Sequence, residues 1–293
     1  MALLAVIFGL ISAIAWGIAD FAAAKASKSF GGLTTGVLVT AISALVFDVV
    51  YALFFRSHTT FNETGLGYAL ASGMAFTIAN LAFYKGLEYG PVSIVSPLGS
   101  MYPLVTTLLL VLLFGSSLHF RQAIGIVVVM LGVAVASGVF KRVRGGHKLS
   151  RGPLLGMCGA FFWGLAWTCI AQAVKHIGWQ LTAAVELTCS TLLFVPLLPL
   201  LNRAEHGLSR KLLLGIRNVL MITAGLLMML GFLALSIGID RVGNLVATAV
   251  VISACYPLIT VFLALRRLKE ELQPIPLAGA LAGVVGIVIL SLG

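Results

Sequence analysis

Residues 9–47, GLISAIAWGIADFAAAKASKSFGGLTTGVLVTAISALVF, return in altered form as residues 156–194, GMCGAFFWGLAWTCIAQAVKHIGWQLTAAVELTCSTLLF. Laid over one another without a gap, they superpose Gly9 on Gly156, Ala13 on Ala160, Trp16 on Trp163, Gly17 on Gly164, Thr35 on Thr182, Ser43 on Ser190 and Phe47 on Phe194. A second ungapped pair, residues 102–137 on 256–291, superposes Tyr102 on Tyr256, Pro103 on Pro257, Thr106 on Thr260, Gly125 on Gly279 and Gly132 on Gly286. Single matches between apolar stretches arise easily by chance. Two blocks that carry paired Trp-Gly and Tyr-Pro do not, and they make the chain an internal duplication.

Each copy is built from apolar runs long enough to cross about 30 Å of hydrocarbon, which takes roughly 20 helical residues. Hydrophobic residues make up 60% of the chain and charged ones only 10%, and the mean hydropathy is +1.10. These values lie outside the range of soluble domains. Spans are expected at residues 3–23, 33–55, 66–87, 92–114, 123–140, 154–174, 180–200, 214–237, 243–265 and 275–292. The runs are continuously apolar rather than alternating, so helices and not barrel strands satisfy the backbone in lipid. Residues 1–18 carry no Lys or Arg, so the first run reads as a retained helix rather than a cleaved leader. The expected fold is therefore all-α and integral to the membrane, with ten transmembrane helices. Five helices per copy is an odd number, so the second copy enters from the opposite side and the halves form inverted repeats. The expected division is 1–140 for the first repeat, 141–151 for a basic linker and 152–293 for the second repeat.

The formal charge of +10 would suit a nucleic-acid partner only if it formed a patch or stripe. The basic residues instead lie in the breaks between runs. With the connections numbered along the chain, the even ones hold only Arg56, Arg121, Lys175 and Arg241. The remaining lysines and arginines fall in the odd ones, among them Lys141, Arg142, Arg144, Arg266 and Arg267. This bias is a topology signal that places the odd connections in the cytoplasm and both termini outside. No nucleic-acid partner is expected. The four cysteines, Cys158, Cys169, Cys189 and Cys255, all lie inside apolar runs without metal-ligand spacing and read as small packing residues. No metal or cofactor is expected.

Alternative packings of inverted halves can expose a central site first to one side and then to the other. Polar and aromatic residues inside the apolar runs, where they are costly, are the candidates to line such a site. The aromatic set is Trp16, Trp163, Trp167, Tyr84, Tyr102 and Tyr256. Trp163 and Trp167 share one helix face, and rings of this kind stack on planar or cationic solutes. The same residue types also anchor spans at the membrane interface. Of the acids, Glu186 lies near the middle of its run and could bind a proton or a substrate amino group, and Asp48 lies about a turn from the middle of its own. Asp20 sits close to the end of its run beside Lys25 and reads as an interfacial group. The neutral polar set is Thr77, Asn80, Gln172, Ser96, Ser100, Asn244 and Ser253. These can bind an amino acid's polar groups or hold helices together. Asn80 and Tyr84, one turn apart, are the preferred pair. Pro97 and Pro103 lie in one run and Pro257 in its repeat partner; each removes a backbone hydrogen bond. Pro103 and Pro257 are thus candidate gating positions.

The chain combines Trp-Gly in the first helix of each half with Pro103 and Pro257 in the fourth helices. It also carries Leu268-Lys269-Glu270-Glu271-Leu272 running into Gly279 and Gly286. In this it resembles the EamA-type members of the drug/metabolite transporter superfamily over nearly its whole length, and within them the aromatic amino-acid exporters. One departure is the first half's Gly115-Ser116-Ser117-Leu118, which lacks the glutamate of that junction. The resemblance implies a secondary transporter in a bacterial inner membrane that exports small metabolites, amino acids and especially aromatic ones. No nucleotide-binding loop is present to couple ATP. A membrane-embedded enzyme is the rival reading, but His58, His119, His147, His176 and His206 all fall in connections or at helix ends. A structural or receptor subunit is the third. No catalytic residue is expected, and since the chain supplies both halves of a site, a monomer suffices.

Overall fold

The computed structural model describes residues 2–55, 61–115, 151–204, 207–242, 252–253, 255–268 and 274–291, with scattered positions between 120 and 135. Every regular element among these residues is helical. The first three are α1 (Ala2–Phe30), α2 (Gly32–Phe54) and α3 (Glu63–Tyr89). α4 (Val92–Gly99) and α5 (Tyr102–Phe114) form one interrupted span. α6 (Arg151–Ala204) is followed by α7 (Leu208–Gly215), α8 (Val219–Val242), α9 (Tyr256–Arg267) and α10 (Pro274–Ser291).

α6 has 54 residues, which as a straight helix would run to about 80 Å at ~1.5 Å per residue. That is more than twice a bilayer core. It is broken at Gly178, whose φ of 72° lies where a side chain would be strained. Its two arms lie on either side of α3. Gly65 approaches His176 and Ile177 near the break, Gly86 approaches Gly152 at the start of the first arm, and Gly73 approaches Cys189 in the second. The arms are thus antiparallel to one another and correspond to the sixth and seventh expected spans. α7 and α8 meet at a bend of 75°, and α8 corresponds to the eighth. α9 and α10 hold the second half of the ninth and the tenth. The fifth span, 123–140, lies largely outside the described residues, and the positions described within it are helical.

Local sequence accounts for the ends. Asn62 caps α3 by accepting from Gly65 N at 2.9 Å, with Glu63 in the first turn, where an acid complements the helix dipole. Between α4 and α5 the chain breaks at Ser100 and Met101. Pro103 falls in the first turn of α5, where no backbone donor is missed. α9 opens in the same way, with Pro257 after Cys255. The residues preceding the two helices share nearly one conformation, φ −79°, ψ 6° at Met101 and φ −79°, ψ 2° at Cys255.

The two repeats interlock through glycines. A Cβ at Gly17 would stand 2.6 Å from Ile259 Cβ and 2.9 Å from the Tyr256 carbonyl. One at Gly164 would meet Val105 and stand 2.9 Å from the Tyr102 carbonyl. Thr260 Oγ1 donates to Gly17 O at 3.1 Å, and Thr106 Oγ1 donates to Gly164 O at 3.1 Å. Each repeat's first helix therefore packs on the other's fourth, by the same contacts. A second symmetric seam joins each repeat's second helix to the other's third. Gly225 faces Ile42, with Ser43 Oγ donating to Gly225 O at 2.9 Å. Gly73 faces Cys189, with Thr77 Oγ1 donating to Ser190 Oγ at 3.1 Å. Small residues at such seams let backbones approach and gain dispersion contacts, which is how helices associate in lipid. The outer faces carry exposed Leu45, Leu53, Leu112 and Leu213, a surface suited to hydrocarbon and not to water. The protein is an all-helical integral membrane protein of two inverted repeats.

Candidate functional site

A cavity lies where the two repeats meet. Four helical faces repeat the same one-turn spacing toward it: Trp16 and Asp20 on α1, Phe76, Asn80 and Tyr84 on α3, Trp163 and Trp167 on α6, Met228 and Phe232 on α8. Residues four apart share a face, so each helix offers two or three side chains. Val39, Thr40 and Ser43 from α2, Tyr102 from the start of α5, Leu187 from the second arm of α6, Met229 from α8 and Tyr256 from the start of α9 complete the wall.

Hydrogen bonds fix several of these groups. Trp163 Nε1 donates to Asn80 Oδ1 at 3.0 Å, and Asn80 Nδ2 donates to Thr40 Oγ1 at 2.8 Å. This chain ties both repeats together across the cavity. Trp16 Nε1 donates to Met228 O at 3.1 Å. Ser96 Oγ, on α4, donates to Asp20 Oδ2 at 2.8 Å. The rings form a second network. Tyr102 and Trp167 stack at 5.9 Å and 17°, Trp167 and Phe232 at 6.2 Å and 27°, and Trp16 meets Tyr256 edge-on at 6.0 Å. Tyr102, Trp167 and Phe232 thus form a stacked run of rings, and Asp20, Asn80, Thr40 and Ser43 bring a carboxyl group, an amide and hydroxyls to the same cavity. Among the described residues Asp20 is the sole acid on the wall, and no Lys, Arg or His lines it.

Seven of the eight substrate-site candidates from the sequence line this cavity: Trp16, Trp163, Trp167, Asn80, Tyr84, Tyr102 and Tyr256. Glu186 does not. It is fully buried behind the wall, its backbone carbonyl against α3 at Gly73. Neither of its carboxylate oxygens has a hydrogen-bond partner among the described residues. Asp48 accepts from Thr188 at 2.9 Å in a separate outer groove with Tyr51 and Leu70. Of the neutral set, Ser96 serves Asp20, Ser100 Oγ donates to Pro97 O at 2.8 Å and Thr77 joins the α3–α6 seam. Gln172 Oε1 accepts from Lys175, Ser253 is buried and Asn244 lies outside the described residues. Pro103 and Pro257 sit in the first turns of α5 and α9, directly after Tyr102 and Tyr256.

The interfacial reading of Asp20 is corrected. α1 continues to Phe30, well beyond the expected end at residue 23, because Ala22, Ala23, Ala24 and Ala26 are all buried while Lys25 and Lys28 point outward. Asp20 is therefore an interior residue, only 3% exposed. Its position one turn after Trp16 is the signal that could have found it. Thr40, Phe76, Met228 and Phe232 were also missed; of these Thr40 carried the signal of a polar residue inside an apolar run. Among the described residues no group of three or more His, Cys, Asp or Glu is placed to hold a metal.

Comparison with known proteins places this architecture. The model of the EamA-like transporter family matches residues 3–138 and again 150–292. An uncharacterized transporter of Archaeoglobus fulgidus is 24% identical over 292 residues, covering 99% of both chains. An uncharacterized protein of Methanocaldococcus jannaschii is 30% identical over 133 residues, covering 45% of this chain and 96% of that shorter one. A crystal structure superposes with a TM-score of 0.58 at 17% identity, over 98% of this chain and 95% of the other, a likeness of fold.

Proposed function

The chain belongs to the EamA-like transporter family, and we propose that it is a secondary transporter exporting a small amphipathic metabolite by alternating access between its two repeats. The observation that carries this reading is the placement of the cavity. Equivalent residues of both repeats, Trp16 with Trp163 and Tyr102 with Tyr256, line one cavity. A site held in common by two halves changes its access when the halves change their packing. The seams that would slide are the glycine contacts at Gly17, Gly164, Gly73 and Gly225, and the breaks before Pro103 and Pro257 are where the fourth helices would hinge.

The lining suits a solute with a flat apolar body and a polar head, the class to which aromatic amino acids belong. The stacked rings of Tyr102, Trp167 and Phe232 receive the body, while Asp20, Asn80, Thr40 and Tyr84 face the head. The full arrangement proposed is ten spans in the plasma membrane, with both termini outside, repeats at 1–140 and 152–293 joined by the basic segment 141–151, and one chain sufficient for a site. Counterflow of labelled tryptophan and of other amino acids in proteoliposomes tests it. Saturable exchange that needs unlabelled solute on the opposite side is expected. Absence of exchange by a folded protein across a panel of amino acids and small amines would remove the reading.

A further inference from the structure

The polar groups on the cavity wall are unequal in kind, and resting on the transporter reading above we infer that the site selects a cation: an amine with a flat apolar body and no carboxylate. Among the described residues Asp20 is the only carboxyl group on the wall, and no basic side chain accompanies it. Ser96 holds one carboxylate oxygen from behind, at 2.8 Å. This fixes the carboxylate's orientation without neutralising it. The faces of Trp16 and Tyr256, packed edge to face beside it, and the ring of Tyr84 attract positive charge through their π-systems.

Four of the neutral donors on the wall are bonded within the protein. Trp16 Nε1 is spent on the Met228 carbonyl and Trp163 Nε1 on Asn80; Asn80 Nδ2 gives to Thr40, and Ser43 Oγ to the carbonyls of Val39 and Gly225. A substrate ammonium meets a fixed anion and aromatic faces. A substrate carboxylate would leave water for a wall where Asp20 repels it. A zwitterion gains at one end and loses at the other, so an aromatic amine outcompetes the amino acid that shares its ring.

The test is equilibrium dialysis of labelled tryptamine, tryptophan and indole-3-propionate against the full-length chain in detergent. The three share one ring and differ in charge. Tryptamine is expected to bind at least about tenfold more tightly than tryptophan, with indole-3-propionate weakest. Asp20→Asn should lower tryptamine affinity by about tenfold or more, with thermal unfolding confirming its fold. If that variant does not fold, the order of the three ligands on the native chain decides. Binding of tryptophan or indole-3-propionate as tight as that of tryptamine, or no binding of tryptamine, overturns the inference. Counterflow keeps the two readings apart. Tryptophan exchange undiminished in Asp20→Asn would sink the role of Asp20 and keep the transporter. The expected binding order without exchange of any solute would keep the Asp20 site and sink the transporter.

Discussion

Where the first repeat has Asp20 the second has Trp167, and where it has Val39 the second has Glu186. Asn80 corresponds in the same way to Phe232 when Gly73 is laid on Gly225. The two halves share the Gly17 and Gly164 seams almost contact for contact yet furnish the cavity differently. Gly17 and Gly164, with Thr260 and Thr106 donating to them at the same 3.1 Å, are held alike because an added Cβ would strike a neighbouring backbone in either half. Lining positions bear no such constraint. The first repeat supplies most of the polar groups, and the second supplies Trp167, Leu187, Met228 and Phe232. A symmetric scaffold thereby holds an asymmetric site.

The comparison can be broken first at Trp163, the ring that links the halves through Asn80. Trp163→Ala should cost about 3–5 kcal/mol of stability, since it empties a packed position and strips Asn80 Oδ1 of its donor. Trp16→Ala, whose ring bonds only a backbone carbonyl, should cost less. Chemical unfolding in detergent compares the two. The seams come next. Gly17→Ala and Gly164→Ala should each destabilise by about 1–3 kcal/mol through overpacking, and by similar amounts. A large inequality would mean that the seams are not equivalent.

The lining should respond through affinity rather than stability. Phe232→Ala, which removes one ring of the stack, should weaken binding of an aromatic solute by about 1 kcal/mol, roughly fivefold. It should leave a non-aromatic amine nearly unaffected, and a competition assay reads both. The smallest effect is expected at Glu186. Glu186→Gln should change solute affinity by less than about twofold, since the side chain stands behind the wall. Glu186→Leu should raise stability by about 1–3 kcal/mol, by removing a buried polar group that has no partner among the described residues.

Those expectations also mark what the sequence could reveal. The duplication, the helical class and most aromatic lining were legible because Trp16/Trp163 and Tyr102/Tyr256 recur at fixed registers. Burial in lipid also leaves an unbroken hydropathy signal. Asp20 was obscured because hydropathy ends a span at its first lysines, whereas a run of alanines carried α1 past Lys25 and Lys28. Glu186 misled for the opposite reason. It is central in its run, yet successive residues on a helix point about 100° apart, and its neighbour Leu187 takes the cavity. Phe76, Met228 and Phe232 were invisible because an apolar residue facing a cavity reads the same as one facing lipid.

The most direct test of a single site built by both repeats is counterflow in proteoliposomes across four forms: the native chain, Trp16→Phe, Trp167→Ala and the lipid-facing Leu45→Ala. The expected result is that Trp16→Phe and Trp167→Ala, one from each repeat, both raise the half-saturating concentration while Leu45→Ala leaves it unchanged. Half-saturation that shifts with only one repeat's variant, or equally with Leu45→Ala, would contradict a cavity shared between the halves.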